Sequence, residues 1–295
     1  MWPDEGYGGL VLRMANRGIF FSPEGNDVVA EAQAGESWDA FVSACVARGL
    51  RGLECLSGIP GTVGAAPIQN VGAYGQQVSD ALVSVACLDR NSLERRQIPA
   101  AACAFGYRTS RFRGEDRGRF VIEAVRFRLH RGGPLAPRHA ELSDALPPET
   151  ASLEPARALG LLREAVLTLR RSKSMVVDPE DPESRSAGSF FLNPTLTRAE
   201  YEALLDRIGD GAVPSFETGG GFKIPAAWLI ERAGYSRGYT KEGVGLSKRH
   251  ALALVNRGGT TRELLDLAGE IREAVGSRFG IDLRIEPEIV GPDPP

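Results

Sequence analysis

Apolar residues recur at helical spacing along several stretches of the chain. In the first stretch, Trp38, Phe41, Val42, Cys45 and Val46 fall at positions i, i+3, i+4, i+7 and i+8, which predicts a helix over 38–48. Similar stripes, or capping and stop residues at their ends, predict the remaining helices. These are 155–171, the stretch that follows the Thr197–Glu200 pair, Pro225 to Gly234, and Thr260 to Gly280.

Shorter apolar runs predict the strands. These runs cover 9–14, 27–32, 83–88, 120–129 and 283–290. Within 120–129, the apolar residues that share one face by a period of two are Val121, Val125, Phe127 and Leu129. This strand is therefore expected to be half buried.

The length, charge and composition narrow the class of protein. A chain of 295 residues fits two domains, or one large domain with a lobe, and a Ser-, Pro- and Glu-rich stretch at 143–155 marks the boundary. The net charge of −3 does not show the excess of Lys and Arg that is typical of nucleic-acid-binding proteins. No apolar run approaches the roughly 18–20 residues that span a bilayer, and no signal peptide is visible at the start. We expect a cytoplasmic protein with no nucleic-acid or membrane partner.

The cysteines and histidines do not follow a disulfide or metal-site pattern. Cys45, Cys55, Cys87 and Cys103 contain no CxxC pair, and the three histidines are far apart in the sequence. We expect reduced thiols and no bound metal.

The stretch from Ser57 to Gly75 is the most informative part of the sequence. Most of its residues are small, and short or absent side chains let backbone N–H groups approach a flat or anionic ligand. Gln69 and Asn70 add amide donors and acceptors. The stretch contains neither a Walker A motif nor the GxGxxG dinucleotide fingerprint, which excludes the usual phosphate loops. On composition alone, a glycine-rich surface loop and a ligand cradle remain equally possible.

Three further motifs carry residues that suit binding or catalysis. Arg108 has a planar guanidinium that can pair with a carboxylate, although a surface arginine beside a buried aromatic residue is the more common case. Ser189 stands next to two phenylalanines, which would hold it in a dry place, but a serine that ends a loop before a strand is also common. Glu286 and Glu288 point to one face of a strand, an arrangement that also fits a solvated acidic edge.

Taken together and in order, the motifs resemble those of one family. The motifs are IPGTVGAAPIQNVGAYG from residue 59, FGYR from 105, AGSFFLNP from 187, KIPAAWLIERAG from 223 and IEPEIVG from 285. The set is similar to that of the UDP-N-acetylenolpyruvoylglucosamine reductases, flavoenzymes of peptidoglycan precursor synthesis. The resemblance extends from residue 8 to residue 291.

The resemblance implies an α+β fold with two functional parts. One is an FAD-binding module of the vanillyl-alcohol-oxidase type, N-terminally truncated here, and the other is an α+β substrate-binding lobe. The implied domains are an FAD-binding domain at 1–150, a substrate-binding domain at 151–280 and a C-terminal strand at 281–295 that returns to the active site. A monomer is expected.

The resemblance also implies a reaction. NADPH would reduce the flavin, and the flavin would pass a hydride to the enol-ether double bond of a UDP-sugar, forming an enolate. Arg108 and Glu288 match the family positions that hold and polarise the substrate carboxylate, and Ser189 matches the proton donor to the enolate carbon. The matching flavin contacts are Pro60, Gly61, Gly64, Gln69, Asn70 and Ala73. The matching substrate contacts are Tyr107, Lys173, Asn193, Lys223 and His250.

The start of the chain departs from the family pattern. Family members normally carry several tens of residues before the point that matches Asp4, and these supply a first α/β subdomain and a Gly-Gly-Gly-Ser-Asn loop around the FAD pyrophosphate. The sequence begins after that loop, so we expect an incomplete flavin cradle and exposed apolar surface.

Two alternatives to the reductase stay open at this point. The first is a non-catalytic remnant that binds a UDP-sugar through residues 155–280 without flavin; the presence of Arg108, Ser189 and Glu288 argues against it. The second is a flavoprotein oxidase of the same fold, which would turn over with O2 and no NADPH.

Overall fold

The chain folds into two compact units in the computed structural model. The structure describes residues 1–132, 137, 139–209 and 212–290. The first unit is Val11–Ser172, and the second combines Met1–Leu10 with Lys173–Pro295. The division falls after Ser172 and not at the predicted boundary between 150 and 151, because the helix that begins at Pro155 packs within the first unit.

The first unit consists mainly of an antiparallel sheet and two longer helices. Its strands are β1 Ile19–Glu24, β2 Asp27–Gln33, β3 Leu50–Arg51, β4 Gly72–Ala73, β5 Gln76–Gln77, β6 Leu82–Asp89, β7 Arg95–Pro99 and β8 Phe120–Arg131. Its helices are α1 Trp38–Val46, α2 Ala140–Asp144 and α3 Pro155–Ser172. The sheet order is β1-β2-β8-β6-β7, with β3 also paired to β8, while β4 and β5 form a separate hairpin.

The core of the first unit forms where α1 packs on the sheet. Trp38, Phe41 and Phe127 are almost completely buried, and the Phe127 ring centroid lies 5.9 Å from that of Trp38 and 5.3 Å from that of Phe41. The Trp38 indole Nε1 donates a hydrogen bond to the Leu56 carbonyl (3.0 Å), so the helix also holds the start of the glycine-rich loop. The predicted helix at 38–48 is confirmed over Trp38–Val46. The predicted inward face of 120–129 is confirmed for Val125, Phe127 and Leu129, but Val121 is only half-buried, because the pairing register shifts between Ile122 and Ala124.

Among its described residues, the second unit has two small sheets and three helices. Its strands are β9 Ser186–Ser189, β10 Thr195–Leu196, β11 Phe216–Thr218, β12 Gly221–Lys223, β13 Thr240–Lys241, β14 Val244–Leu246 and β15 Ala253–Asn256. Its helices are α4 Arg198–Ile208, α5 Ala226–Arg232 and α6 Thr261–Phe279. The sheet orders are β13-β14-β15-β9 and β10-β12-β11.

The predicted helix ends of the second unit are confirmed. Thr197 with Glu200, and Thr260 with Glu263, each form a capping box in which side chains and backbone N–H groups bond reciprocally. Gly280 ends α6 in the left-handed conformation, with φ of 72°, which glycine adopts without steric cost.

Two predicted strands are wrong. Residues 9–14 form no strand, and Leu10 and Leu12 are 83% and 80% exposed, so the apolar run there has no sheet to pair with in the described chain. Residues 283–290 form a single bridge, between Ile285 and Phe191, because the Phe190 N–H that would extend the ladder to Glu286 donates to the Leu252 carbonyl instead.

The two longest strands of the first unit that the sequence did not predict are β1 and β7. β7 is an edge strand in which only Ile98 is buried, so it carries no alternating apolar pattern. β1 pairs with β2 through Ile19–Glu24, a short apolar run at the opposite edge of the sheet.

The four cysteines are free, buried thiols, as predicted. Burial raises the pKa of the Cys45 thiol to about 12, and that of the Cys55 thiol to about 12 as well. Thiolates therefore do not form at neutral pH at these two positions, and both residues act as small apolar side chains.

Within the described ranges, no helix combines the length and the apolar character needed to cross a bilayer.

Candidate functional site

A polar network anchors the glycine-rich loop at Gly58. The N–H of Gly58, whose φ is 72°, donates to the Asp39 carboxylate (2.6 Å) in the first turn of α1. The Arg163 guanidinium on α3 donates a hydrogen bond to each oxygen of the same carboxylate, both at 2.7 Å. The Arg170 guanidinium donates to the Gly58 carbonyl at 3.4 Å. Both helices therefore fix the point at which the loop begins.

This network shifts the ionisation of Asp39. Burial raises the pKa of the carboxyl, but hydrogen bonds from Arg163 and from the Gly58 N–H outweigh burial and hold the pKa below its usual value of 3.8. Its contribution to the free energy of unfolding is fully present above the unfolded pKa. It is lost as the pH falls through the lower folded pKa.

We predict that Asp39→Asn weakens the fold at pH 7 and flattens its acid dependence. The expected loss in the free energy of unfolding is about 1–2 kcal/mol, the lower part of the range for charged hydrogen bonds because the Asp39 side chain is 36% exposed. Urea midpoints of wild type and variant, measured from pH 7 to pH 3, should converge at low pH. The control is Asp206→Asn, an exposed aspartate on α4. A constant difference between wild type and variant at every pH would contradict the role of the carboxylate.

The next residues of the loop, Pro60 and Gly61, form an exposed edge of small residues. Pro60 and Gly61 are exposed, Gly61 has φ of 115°, and no atom lies within 4 Å of the position that a Cβ on Gly61 would occupy. Gly64 serves packing instead, because a Cβ there would lie 2.6 Å from that of Ala34. The Gly61 carbonyl accepts from the Trp38 N–H (3.1 Å), which fixes the edge to α1. An open edge on a rigid base fits a flat cofactor such as FAD.

The second half of the loop is joined to residues 105–113. Asn70 is buried and donates to the Gly106 carbonyl (3.1 Å), and the Gln69 side-chain oxygen accepts from Arg113 (2.9 Å). Ala73 is half-buried in the β4–β5 hairpin. Of the predicted flavin contacts, Asn70 thus presents its side chain to the protein interior.

Arg108 lies on this joined segment. Gly106 and Thr109 pair across the turn that carries Arg108, whose φ is 53°, in the left-handed region that non-glycine residues rarely adopt. Its guanidinium Nη2 donates to the Gly72 carbonyl (2.7 Å) and lies near the ring of Tyr107, which is 42% exposed. The structure thus brings Tyr107 and Arg108 together with the glycine-rich loop.

Ser189 ends strand β9 in the second unit. It pairs with Ala253 of β15 and is half-buried, while Phe190 and Phe191 after it are fully buried, with ring centroids 5.3 Å apart. The Phe190 N–H donates to the Leu252 carbonyl at 2.7 Å. The serine is therefore carried by a backbone that is hydrogen-bonded on one side and anchored by two buried rings.

The segment that carries Glu288 runs along the other side of the same residues. The Glu286 N–H donates to the Phe190 carbonyl, and the Leu192 N–H donates to the Arg284 carbonyl, both at 2.9 Å. Glu288, two residues further on, is exposed. The C-terminal segment is thus bonded to the residues that follow Ser189, although it is not a regular strand.

The predicted substrate residues of the second unit occupy different positions in it. The Asn193 Oδ1 accepts from the Ala226 N–H (2.8 Å) at the start of α5, and half-buried Lys223 ends β12 opposite Thr195. His250 lies in the turn before β15. Lys173 follows the end of α3.

Glu183 is a buried residue that sequence reasoning missed. It accepts hydrogen bonds from the Lys248 N–H (2.7 Å) and from the Arg257 guanidinium (2.9 Å), and so holds the turn that leads to His250. Burial raises the pKa of Glu183, but these two hydrogen bonds outweigh burial and lower the pKa below its usual value. No local pattern marks this role, because the partners lie 65 and 74 positions away along the chain.

Comparisons with known proteins show the family to which the chain belongs. The family profile described as UDP-N-acetylenolpyruvoylglucosamine reductase, C-terminal domain, matches residues 180–290, and a profile described as FAD binding domain matches residues 2–93. The UDP-N-acetylenolpyruvoylglucosamine reductase of Thermobifida fusca is 46% identical over 98% of this chain and 82% of its own length. The chain belongs to the UDP-N-acetylenolpyruvoylglucosamine reductase family.

A further relative supports this assignment, and one solved structure shares the fold. The UDP-N-acetylenolpyruvoylglucosamine reductase of Saccharopolyspora erythraea is 48% identical over 97% of this chain and 80% of its own length. The crystal structure of the Thermus caldophilus UDP-N-acetylenolpyruvylglucosamine reductase has a TM-score of 0.57 at 21% identity, covering 87% of this chain and 70% of that one. The resemblance and the α+β fold class with an FAD-binding module are thereby confirmed, and this member of the reductase family is an FAD-dependent oxidoreductase.

Proposed function

We propose that the protein reduces UDP-N-acetylenolpyruvoylglucosamine to UDP-N-acetylmuramate, with NADPH as the reductant and FAD as the hydride carrier, in peptidoglycan precursor synthesis. The observation that carries the proposal is the placement of Ser189. It directly precedes two buried phenylalanines whose backbone bonds to the 284–288 segment, in a chain whose first unit holds the Arg108 guanidinium against the glycine-rich loop. A fixed serine hydroxyl beside a carboxylate-bearing segment suits delivery of one proton.

Two side chains would act on the substrate carboxylate. When bound, FAD supplies the hydride that reaches the enol-ether double bond. Negative charge then develops on the adjacent carbon and its carboxylate, as an enolate of the substrate. The Arg108 guanidinium, with its fixed fork of donors, pairs with this carboxylate, and Glu288 polarises the same group.

Ser189 completes the reduction by giving its hydroxyl proton to the enolate carbon. A serine hydroxyl is a weak acid, but an enolate is a strong base, so the transfer is favourable when the geometry is fixed. Phe190 and Phe191 limit access of water from the core side. The serine alkoxide recovers its proton from solvent, so the group is unchanged after each turnover.

The remaining predicted residues would serve binding. FAD would lie on the edge formed by Pro60, Gly61 and neighbouring backbone. The first unit would then bind the flavin, and the second unit would be the lobe that binds the UDP-sugar. The substrate contacts proposed for the sugar nucleotide are Tyr107, Lys173, Asn193, Lys223 and His250. Lys173 and Lys223 would interact with the diphosphate as compact positive charges.

We predict that the purified chain retains FAD after incubation and desalting, and that Gly61→Ala weakens the retention. At φ of 115°, alanine at position 61 is strained, which costs about 1–3 kcal/mol and should raise the FAD dissociation constant about tenfold. Gly25→Ala, in the β1–β2 turn at φ of 62°, is the matched control for backbone strain alone. The visible spectrum after desalting measures retention.

Measurements of turnover then distinguish the reductase from the oxidase and from the non-catalytic alternative. NADPH oxidation that depends on the enolpyruvyl substrate supports the proposal. Turnover with O2 and no NADPH would favour an oxidase of the same fold. A colourless chain that still binds a UDP-sugar in calorimetry would favour the non-catalytic alternative and overturn the proposed reaction.

A further inference from the structure

The buried side chain of Asn70 joins two loops that the proposed function needs together. Its Nδ2 donates to the Gly106 carbonyl (3.1 Å) and to the Gln77 side-chain oxygen (3.3 Å), and its Oδ1 accepts from the Ser79 N–H (3.0 Å). Asn70 is 1% exposed, and its φ is 46°. Both ends of the amide are therefore engaged inside the protein, which does not suit a side chain that contacts a cofactor.

The partner carbonyl belongs to the turn that carries Arg108. Gly106 donates to the Thr109 carbonyl (3.1 Å) and accepts from the Thr109 N–H (3.4 Å), and this short pair encloses Arg108 in its left-handed conformation. Such a conformation costs free energy in a non-glycine residue and persists only where its surroundings hold it. The bond from Asn70 to Gly106 is part of those surroundings.

The Arg108 side chain returns to the same glycine-rich loop. Its Nη2 donates to the Gly72 carbonyl (2.7 Å), two residues after Asn70. A Cβ on Gly72 would lie 3.1 Å from the Arg108 Nη1 and 3.0 Å from the Gln76 carbonyl oxygen. The absence of a side chain at position 72 is what lets the guanidinium approach so closely.

Two more bonds connect the same pair of loops. The Ser110 hydroxyl donates to the Ile68 carbonyl (2.6 Å), and Arg113 donates to the Gln69 side-chain oxygen (2.9 Å). Together with the bonds from Asn70 and Arg108, they connect residues 68–72 to residues 106–113 at four points.

From this arrangement we infer that Asn70 is a positioning residue that sets the place of the Arg108 guanidinium. The inference rests on the proposed function, because it assumes that Arg108 acts on the substrate. It assigns Asn70 a different role from the flavin contact that the sequence resemblance implies. Asn70 acts on the reaction through Arg108 and leaves reduction of the flavin unaffected.

The test compares Asn70→Asp with a matched control, Asn16→Asp. Asn16 has the same bonding pattern in the same unit: its Nδ2 donates to the Glu123 carbonyl and the Gln33 side-chain oxygen, and its Oδ1 accepts from the Gly35 N–H. In each variant a carboxylate oxygen replaces the donor and faces a carbonyl. Both variants should lose stability, and only Asn70→Asp should disturb Arg108.

The first readout is trypsin cleavage after Arg108 in the full chain without added FAD, followed by mass spectrometry. We expect Asn70→Asp to speed cleavage at this bond about tenfold, while Asn16→Asp leaves it at the wild-type rate. A second variant, Gly72→Ala, displaces the guanidinium without touching Asn70 and should also speed this cleavage. If Asn70→Asp does not fold, Gly72→Ala still decides whether the loop sets the position of Arg108.

The second readout separates the two half-reactions. We expect Asn70→Asp to slow reoxidation of the reduced flavin by the enolpyruvyl substrate about tenfold, with flavin reduction by NADPH unchanged. In an Arg108→Lys background, which alone should slow reoxidation about 100-fold, Asn70→Asp should add little further loss.

Three results would overturn the inference. The losses of Asn70→Asp and Arg108→Lys could multiply, which would show that Asn70 does not act through Arg108. Cleavage after Arg108 could stay at the wild-type rate in both Asn70→Asp and Gly72→Ala. Weaker FAD binding with normal half-reactions would make Asn70 a cofactor contact. If the wild-type chain fails to reduce the substrate, the proposed function fails, while the cleavage result still decides whether Asn70 holds the Arg108 turn.

Discussion

Replacing Ser189 by alanine is expected to slow reduction of the enolpyruvyl substrate by about 10²–10⁴-fold, the usual contribution of a positioned general acid. Reduction of the flavin by NADPH should be unchanged, because the serine proton is needed only after the hydride has left the flavin. Stopped-flow absorbance of the flavin band measures the two half-reactions separately. Folding should be little affected, since Phe190 and Phe191 keep the segment anchored in the core.

The control variants distinguish the loss of a proton donor from a structural effect of removing a serine hydroxyl. Ser215→Ala removes another half-buried serine of the second unit, one that is hydrogen-bonded to Tyr201, and should change neither half-reaction. Ser189→Cys keeps a proton donor and should recover part of the lost rate. Equal loss of both half-reactions in Ser189→Ala would remove Ser189 from the role of proton donor.

Glu288→Gln is expected to lower turnover by about 10²–10³-fold with a modest change in FAD affinity. The variant keeps the size of the side chain and removes its charge, so it tests the electrostatic part of catalysis. The backbone bonds of the segment, from the Glu286 N–H to Phe190 and from the Leu192 N–H to Arg284, do not involve the altered group. The variant should therefore keep the wild-type fold.

Steady-state kinetics and FAD titration measure both parts of this prediction. Glu273→Gln on α6 is the control for loss of one exposed carboxylate in the same unit, and should leave turnover unchanged. Glu288→Asp should fall between wild type and Glu288→Gln, because it keeps the charge on a shorter side chain. Wild-type turnover in Glu288→Gln would exclude Glu288 from the mechanism.

Elements with strong local signals were predicted correctly. The capping boxes at Thr197 and Thr260 and the left-handed glycine at Gly280 act within one turn of backbone, so sequence spacing is sufficient to place them. The buried stripe of α1 follows from helical geometry in the same way. Strands were harder, since 9–14 carries a strand pattern with no partner and β7 has a partner with no pattern.

In the candidate site, too, the residues in local motifs were predicted from the sequence, and the residues with distant partners were not. Arg108, Ser189 and Glu288 were found from motifs, because each stands in a short string of characteristic residues. The residues that hold these strings in place were not found. Asp39 and Arg163 are 124 positions apart, and Glu183 lies in a loop that composition describes only as polar and proline-rich.

The sequence by itself determined the family, the longer helices and their ends, and the chemical groups offered for catalysis, because those depend on residue type and short spacing. Only the tertiary structure decided that Asn70 faces inward, that Gly72 lets the Arg108 guanidinium approach, and that the last segment pairs with the 190–192 segment through one bridge. These outcomes depend on hydrogen bonds between residues distant in the chain. Such bonds form only after the sheet and its loops have packed, and no local pattern encodes their partners.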